Sequence, residues 1–80
     1  MGYHKTEIPK GKLGKFSKIE EEWAELLDAR AQNQPVLMLC EICDLLGAIQ
    51  LYLEQRYSGA ITIEQCLDMA RKTMEHKEGR

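Results

Sequence analysis

Apolar residues along the chain fall into three runs with helical spacing, set apart by short polar stretches that contain glycine or proline. A helix with 3.6 residues per turn brings positions i, i+3, i+4 and i+7 to one face. Ile19, Trp23, Leu26 and Leu27 mark such a face and predict a first helix over 18–30. Ser17, with Glu20 three residues later, has the spacing of a capping box for that helix. The polar stretch at 32–34 ends it, and Pro35 suits the entrance of the next, where a missing N–H costs nothing. Met38, Ile42, Leu45, Ile49 and Leu53 predict a second helix over 36–57, in which Gly47 is a weak point or a close-packing position. Ser58 and Gly59 close it. A third helix follows Thr62, whose hydroxyl pairs with Gln65 in another capping box, and its stripe of Ile63, Cys66, Leu67, Ala70 and Met74 carries it to about residue 75.

The fold class expected from this pattern is all-α, a three-helix protomer with an antiparallel core. Residues 1–17, where Pro9, Gly11 and Gly14 alternate with lysines, read as a flexible or irregular N-terminal arm. The helical domain then spans 18–76, and 77–80 form a C-terminal tail. A chain of 80 residues buries only about 60% of its unfolded surface, while ordering costs about 1.5 kcal/mol per residue. The breadth of the second apolar stripe offers a remedy. Its uncovered face is expected to be completed by another copy, giving an oligomeric helical bundle that is at least a dimer.

Charge changes the picture at two places. Glu22 and Glu25 lie beside the first apolar stripe, and Glu41 and Asp44 lie on the corresponding side of the second. Packed stripe to stripe, the two helices would bring four carboxylates together. Such a cluster is repulsive unless a cation is bound or protons are retained, and oxygen-only ligands favour magnesium or manganese over zinc. Glu20 and Asp28 read as solvated charges, and Glu21 points farther from the stripe.

Other chemistries find less support. Cys40, Cys43 and Cys66 are an odd set without the further ligand of a structural zinc site, and the C-x-x-C spacing falls inside a helix instead of after a strand. The glutamate-x-x-histidine ligands of a di-iron bundle are lacking, as is any phosphate-binding glycine loop. A net charge of −2 makes no general case for a stable nucleic-acid partner. No apolar span of membrane length or secretory leader is evident, so no membrane association and a cytoplasmic location are the simplest expectations. Trp23 and Tyr52 are expected to pack in the core or between subunits, and Tyr57 lies nearer a helix end. His4 and His76 read as surface residues.

The E-E-x-x-E form of Glu21, Glu22, Trp23, Ala24 and Glu25, followed by the E-x-x-D form of Glu41, Ile42, Cys43 and Asp44, resembles the MazG-like all-alpha nucleoside triphosphate pyrophosphohydrolases. Compact phage-encoded members are similar in scale and in their glycine-arginine ending, here Gly79-Arg80; Met74-Glu75-His76 departs from the alanine-phenylalanine character usual before it. The resemblance implies helical dimers or tetramers that bind Mg2+, or in places Mn2+, and release pyrophosphate from ribo- or deoxynucleoside triphosphates. It implies Glu22, Glu25, Glu41 and Asp44 as metal ligands, and adds Glu21 to the catalytic set as a water-positioning or supporting group. Lys15, Lys18, Arg71 and Arg80 are the candidates for phosphate contact, with Arg71 also readable as part of a solvated face. The rival expectation is a noncatalytic helical assembly or regulatory binding protein, using the same apolar faces while its acidic groups stay independently solvated.

Overall fold

A computed structural model describes residues 4–79, and within them the chain is all-helical: α1 (Phe16–Ala31), α2 (Pro35–Arg56) and α3 (Ile63–Glu78), with no strand among the described residues. The all-α, three-helix expectation is met, and the boundaries shift. α1 begins two residues earlier than its apolar pattern because Lys15, not Ser17, is its N-cap, and no side chain caps it. The Ser17 hydroxyl instead accepts the Lys12 N–H at 3.1 Å, which ties the arm to the first turn. α3 runs to Glu78, so the first two residues of the expected tail at 77–80 are helix. Its capping box is formed as expected: the Gln65 N–H donates to Thr62 Oγ1 at 3.1 Å, and the Thr62 N–H donates to Gln65 Oε1 at 2.9 Å.

α1 and α2 pack along their length as a hairpin, joined by the turn at 32–34 in which Asn33 adopts φ 57°, a left-handed conformation that asparagine tolerates well. Pro35 stands in the first turn of α2, where its fixed φ starts a helix. The seam differs from the one expected. Ala29 and Ala48 are buried in it, at 0% and 3% exposure, and beside them lie Glu21, Glu22, Asp28 and Glu41, all at 6% or below. Small side chains let the backbones approach, and the enclosed faces carry acidic groups beside apolar ones. The apolar stripes are only partly enclosed: Leu53 is buried, Ile19, Leu26, Met38, Leu45 and Ile49 are half-buried, and Trp23, Leu27 and Ile42 are exposed. Trp23 stays 51% exposed, Leu39 62% and Val36 77%, so Trp23 is not a core residue of the protomer.

At the far end of the hairpin, Phe16 stands edge-on to Tyr52 and Tyr52 edge-on to Tyr57, with ring centres 5.8 and 6.5 Å apart. Tyr52 therefore does pack internally. Gly14, at φ 82°, brings the arm so close to α2 that a Cβ there would collide with the Gln55 side chain. α3 packs only lightly on α2 and makes no contact with α1. A compact chain of this length would have a radius of gyration of about 12 Å; this one has 14.6 Å and measures 40 × 34 × 16 Å. The protomer is a two-helix hairpin with a third helix held away.

One expectation is corrected outright. α2 is long and apolar enough to cross a membrane by length and composition, with a mean hydropathy of 1.8 over an 18-residue window. Glu41 and Asp44 lie inside that window, and a carboxylate at the centre of a bilayer costs about 2.5–3.5 kcal/mol or more. Glu41 is buried against α1, while only 11% of the window is buried within the protomer.

Candidate metal centre

Helical spacing sets up the site. Glu21, Glu25 and Asp28 recur at i, i+4 and i+7 on α1, with Glu22 beside them, and Glu41 and Asp44 are one turn apart on α2. Across the seam these groups come together in three overlapping sets, each with ligand atoms within 4.8 Å of one another: Glu21, Glu22 and Glu25; Glu22, Glu41 and Asp44; and His4, Glu25 and Glu41. The four expected ligands fall within these overlapping sets, but no single set holds all four: Glu25 and Asp44 do not share one. Glu22 and Glu41 are buried, Glu25 is half-buried and Asp44 is exposed.

The partners of these groups divide them into two kinds. Glu21 accepts the Gly11 N–H at 2.8 Å and faces Lys18 Nζ at 3.1 Å and Lys10 Nζ at 3.7 Å. Burial pushes its carboxyl up, but those donors outweigh it and hold it below the usual range. Glu21 is thus an anchor for the arm and for Lys18. Glu22 holds Lys18 Nζ with one oxygen at 2.9 Å, yet its Oε1 is buried without a partner, and so is Glu41 Oε1. A buried carboxylate oxygen without a donor is costly, and nearly all such atoms in native proteins are satisfied. A cation between them would satisfy both, whereas a proton retained on Glu25, which shares a hydrogen bond with Glu22, would serve Glu22 alone.

Glu25 registers the same crowding. Burial, then a hydrogen bond shared with Glu22, then the charges of Glu22, Glu41 and Glu21 push its carboxyl up to about 7. Lys18 moves the other way: its contact with Glu22, opposed by burial and reinforced by Glu21, raises it to about 12. Its charge is directed at carboxylates, so in this state Lys18 is not turned outward for phosphate. Lys15 is exposed. Arg71 lies on α3, where it pairs with Asp68 at 3.8 Å, and the protomer does not bring it to the cluster. Arg80 lies outside the described residues.

Asp28 and His4 were not among the residues singled out. Asp28, read as a solvated charge, is 6% exposed and accepts from Lys5 N–H at 3.0 Å, Thr6 Oγ1 at 3.1 Å and Gln32 Nε2 at 2.9 Å, with His4 Nδ1 at 2.9 Å. Burial pushes its carboxyl up, but the Lys5 N–H followed by His4, Gln32 and Thr6 outweigh that and leave it at about 2. His4, read as a surface residue, places Nε2 3.1 Å from Glu41 Oε2. The i+7 spacing from Glu21 was the available signal for Asp28; no local pattern points to His4.

Clefts border the cluster on both sides. One of about 540 Å³ runs past Lys18, Glu22, Asp44, Gly47 and Leu51; another of about 560 Å³ runs past Val36, Leu37, Cys40, Glu41 and Asp44. Both fall within the roughly 300–1,000 Å³ typical of small-molecule sites. The chain matches no protein-family model, curated protein or solved structure.

Proposed function

We propose that the chain is a magnesium-dependent hydrolase, using Mn2+ as an alternative, that cleaves ribo- or deoxynucleoside triphosphates to the monophosphate and pyrophosphate. The observation that carries the metal requirement is the pair of buried, unpartnered oxygens on Glu22 and Glu41 within one carboxylate cluster. An all-oxygen set suits a hard divalent cation. When bound, such an ion would gather phosphate oxygens and acidify a water. Glu22, Glu25, Glu41 and Asp44 would hold it, and Lys18 would swing from Glu22 toward phosphate as the ion takes over its neutralising role. Glu25, pushed up to about 7 by burial and its acidic neighbours, would give up its proton to take its place as a ligand. Glu21, bound to Gly11 and Lys18, keeps the arm and the ammonium in place.

Cleavage between the α and β phosphates is taken from the resemblance of the two acidic patterns to MazG-like pyrophosphohydrolases, including phage-encoded ones, because acidic geometry alone fits other phosphate chemistry equally. The same reading makes the working form a cytoplasmic homodimer or homotetramer. Exposed Trp23, Val36, Leu39, Ile42 and Leu46 flank the seam, and α3 is free to bring Arg71 to a site in the assembly. A noncatalytic assembly or regulatory protein is the second reading, favoured by those same exposed flanks.

Product analysis with Mg2+ across the common triphosphates tests the proposal. Pyrophosphate as first product, with Glu41→Gln lowering both Mg2+ affinity and turnover while helicity is kept, is the expected outcome. Orthophosphate as first product would exclude the bond assignment. Wild-type Mg2+ affinity in both Glu25→Gln and Glu41→Gln would remove the metal centre itself.

A further inference from the structure

The third grouping at the seam differs in kind from the other two, since it offers a nitrogen. His4 lies on the irregular arm, with its side chain 11% exposed, and both ring nitrogens are directed at carboxylates: Nδ1 at Asp28 and Nε2 at Glu41. We propose that His4 Nε2, Glu25 and Glu41 form a second cation site of mixed nitrogen and oxygen donors, which takes a first-row transition metal in preference to Mg2+.

Three features of the arrangement support this assignment. Asp28 accepts four hydrogen-bonding partners in all, one of them His4 Nδ1, which orients the ring; His4 Nε2 lies at hydrogen-bond distance from Glu41 Oε2, and a bound ion would take the place of the proton between them. His4 Nε2 and Glu41 Oε2 are 3.1 Å apart. Neighbouring ligands on an ion with bonds of about 2.0–2.2 Å are separated by about 3.0–3.4 Å, so the pair has the spacing of two donors to one ion. Glu41 also retains a buried oxygen without a partner, and is common to this set and to that of Glu22 and Asp44. A small cleft of about 210 Å³ beside His4, Thr6 and Glu25 gives an access path on the arm side.

Imidazole shifts the preference among metals. Affinity at nitrogen-containing sites rises from Mn2+ through Co2+ to Ni2+ and Cu2+, whereas Mg2+ keeps to oxygen ligands and water. The site shares Glu25 and Glu41 with the magnesium centre proposed above, but its existence does not depend on any hydrolytic activity. It would also fasten the arm to both helices of the hairpin, because His4 is the residue through which the arm reaches α2 at this end.

The experiment uses the full chain, stripped of metal and loaded with Mn2+ or Co2+. Pulsed electron paramagnetic resonance of the Mn2+ form is expected to show a directly bound imidazole nitrogen, retained in His76→Gln and lost in His4→Gln. Co2+ affinity should fall about 10-fold or more in His4→Gln and about 10–100-fold in Asp28→Asn, while Mg2+ affinity stays within about twofold in His4→Gln. No nitrogen coupling in the wild type, or its loss in His76→Gln, overturns the proposal even if His4→Gln does not fold. Equal losses of Mg2+ and Co2+ affinity in folded His4→Gln also overturn it, making His4 a brace for Glu41. Turnover of nucleotides is not a readout here, so a silent enzyme that shows the nitrogen signal refutes only the hydrolase reading.

Discussion

Glu25→Gln separates the cost of the carboxylate cluster from its use. In the metal-free chain Glu25 is raised from 4.5 to about 7, by burial first and then by Glu22, Glu41 and Glu21. A carboxyl whose folded pKa exceeds its unfolded one binds its proton more tightly when folded. Its stabilising effect is complete below about pH 4.5 and is lost as pH rises through 7. Ionising Glu25 therefore costs the folded chain about 3 kcal/mol by pH 8, and solvent screening of a half-buried group lowers the expected figure to about 1–3 kcal/mol. Glutamine keeps the shape without the charge. Metal-free Glu25→Gln should melt at least about 4 °C above wild type at pH 8, with the gap closing toward pH 5.

Saturating Mg2+ should reverse that order, because the wild type gains more from a ligand that it binds more tightly. The assay is thermal unfolding at fixed protein concentration from pH 5 to 8, with chelator and then with Mg2+. A metal-free Glu25→Gln that is less stable than wild type at pH 8, or a gap that does not change with pH, would refute the reasoning. Glu25 would then not be crowded by its neighbours.

Other substitutions probe the scaffold. A Cβ at Gly11 would meet the Ser17 carbonyl and the Lys18 N, so Gly11→Ala should displace the arm from Glu21 and cost about 1–3 kcal/mol in urea unfolding; an unchanged midpoint would rule out the close approach. Thr62→Ala removes half of the capping box and should cost about 0.5–2 kcal/mol, read as lost helicity in α3. Leu39→Glu, at a position 62% exposed in the protomer, should lower the mass in solution while leaving helicity intact. An unchanged mass at micromolar concentration would remove that face from the assembly.

Helix positions were legible in the chain because periodicity reports directly on which residues share a face. Pro35 and the Thr62–Gln65 pair marked two starts correctly. Ser17 did not, since a hydroxyl at capping spacing can serve a loop N–H instead, and Lys12 took it. The two acidic pairs, Glu22 with Glu25 and Glu41 with Asp44, were legible as candidate ligands from their spacing. What was not legible is how deeply the acidic groups sit: an amphipathic pattern leads one to bury the apolar stripe alone, whereas Glu22 and Glu41 are buried with Ala29 and Ala48 while much of the stripe is only half-buried. Asp28 and His4 became visible only in three dimensions, since they depend on an arm 24 residues away along the chain folding back over α1.

The burial of carboxylates among partly covered apolar residues links the proposed site to the proposed assembly. An isolated protomer has crowded carboxylates at the seam, with one buried oxygen each on Glu22 and Glu41 unpartnered, and exposed Trp23, Leu39 and Ile42 outside it. Neither defect cures the other. A cation would neutralise the seam and leave the flanks bare, while a second copy would cover the flanks and leave Glu22 and Glu41 each with an unpartnered oxygen. Filling the seam with leucine would give a more stable hairpin, as replacement of buried charge by apolar packing often does. Retaining glutamates there is intelligible if the seam is where a metal is held, and leaving the flanks apolar is intelligible if another chain completes the core.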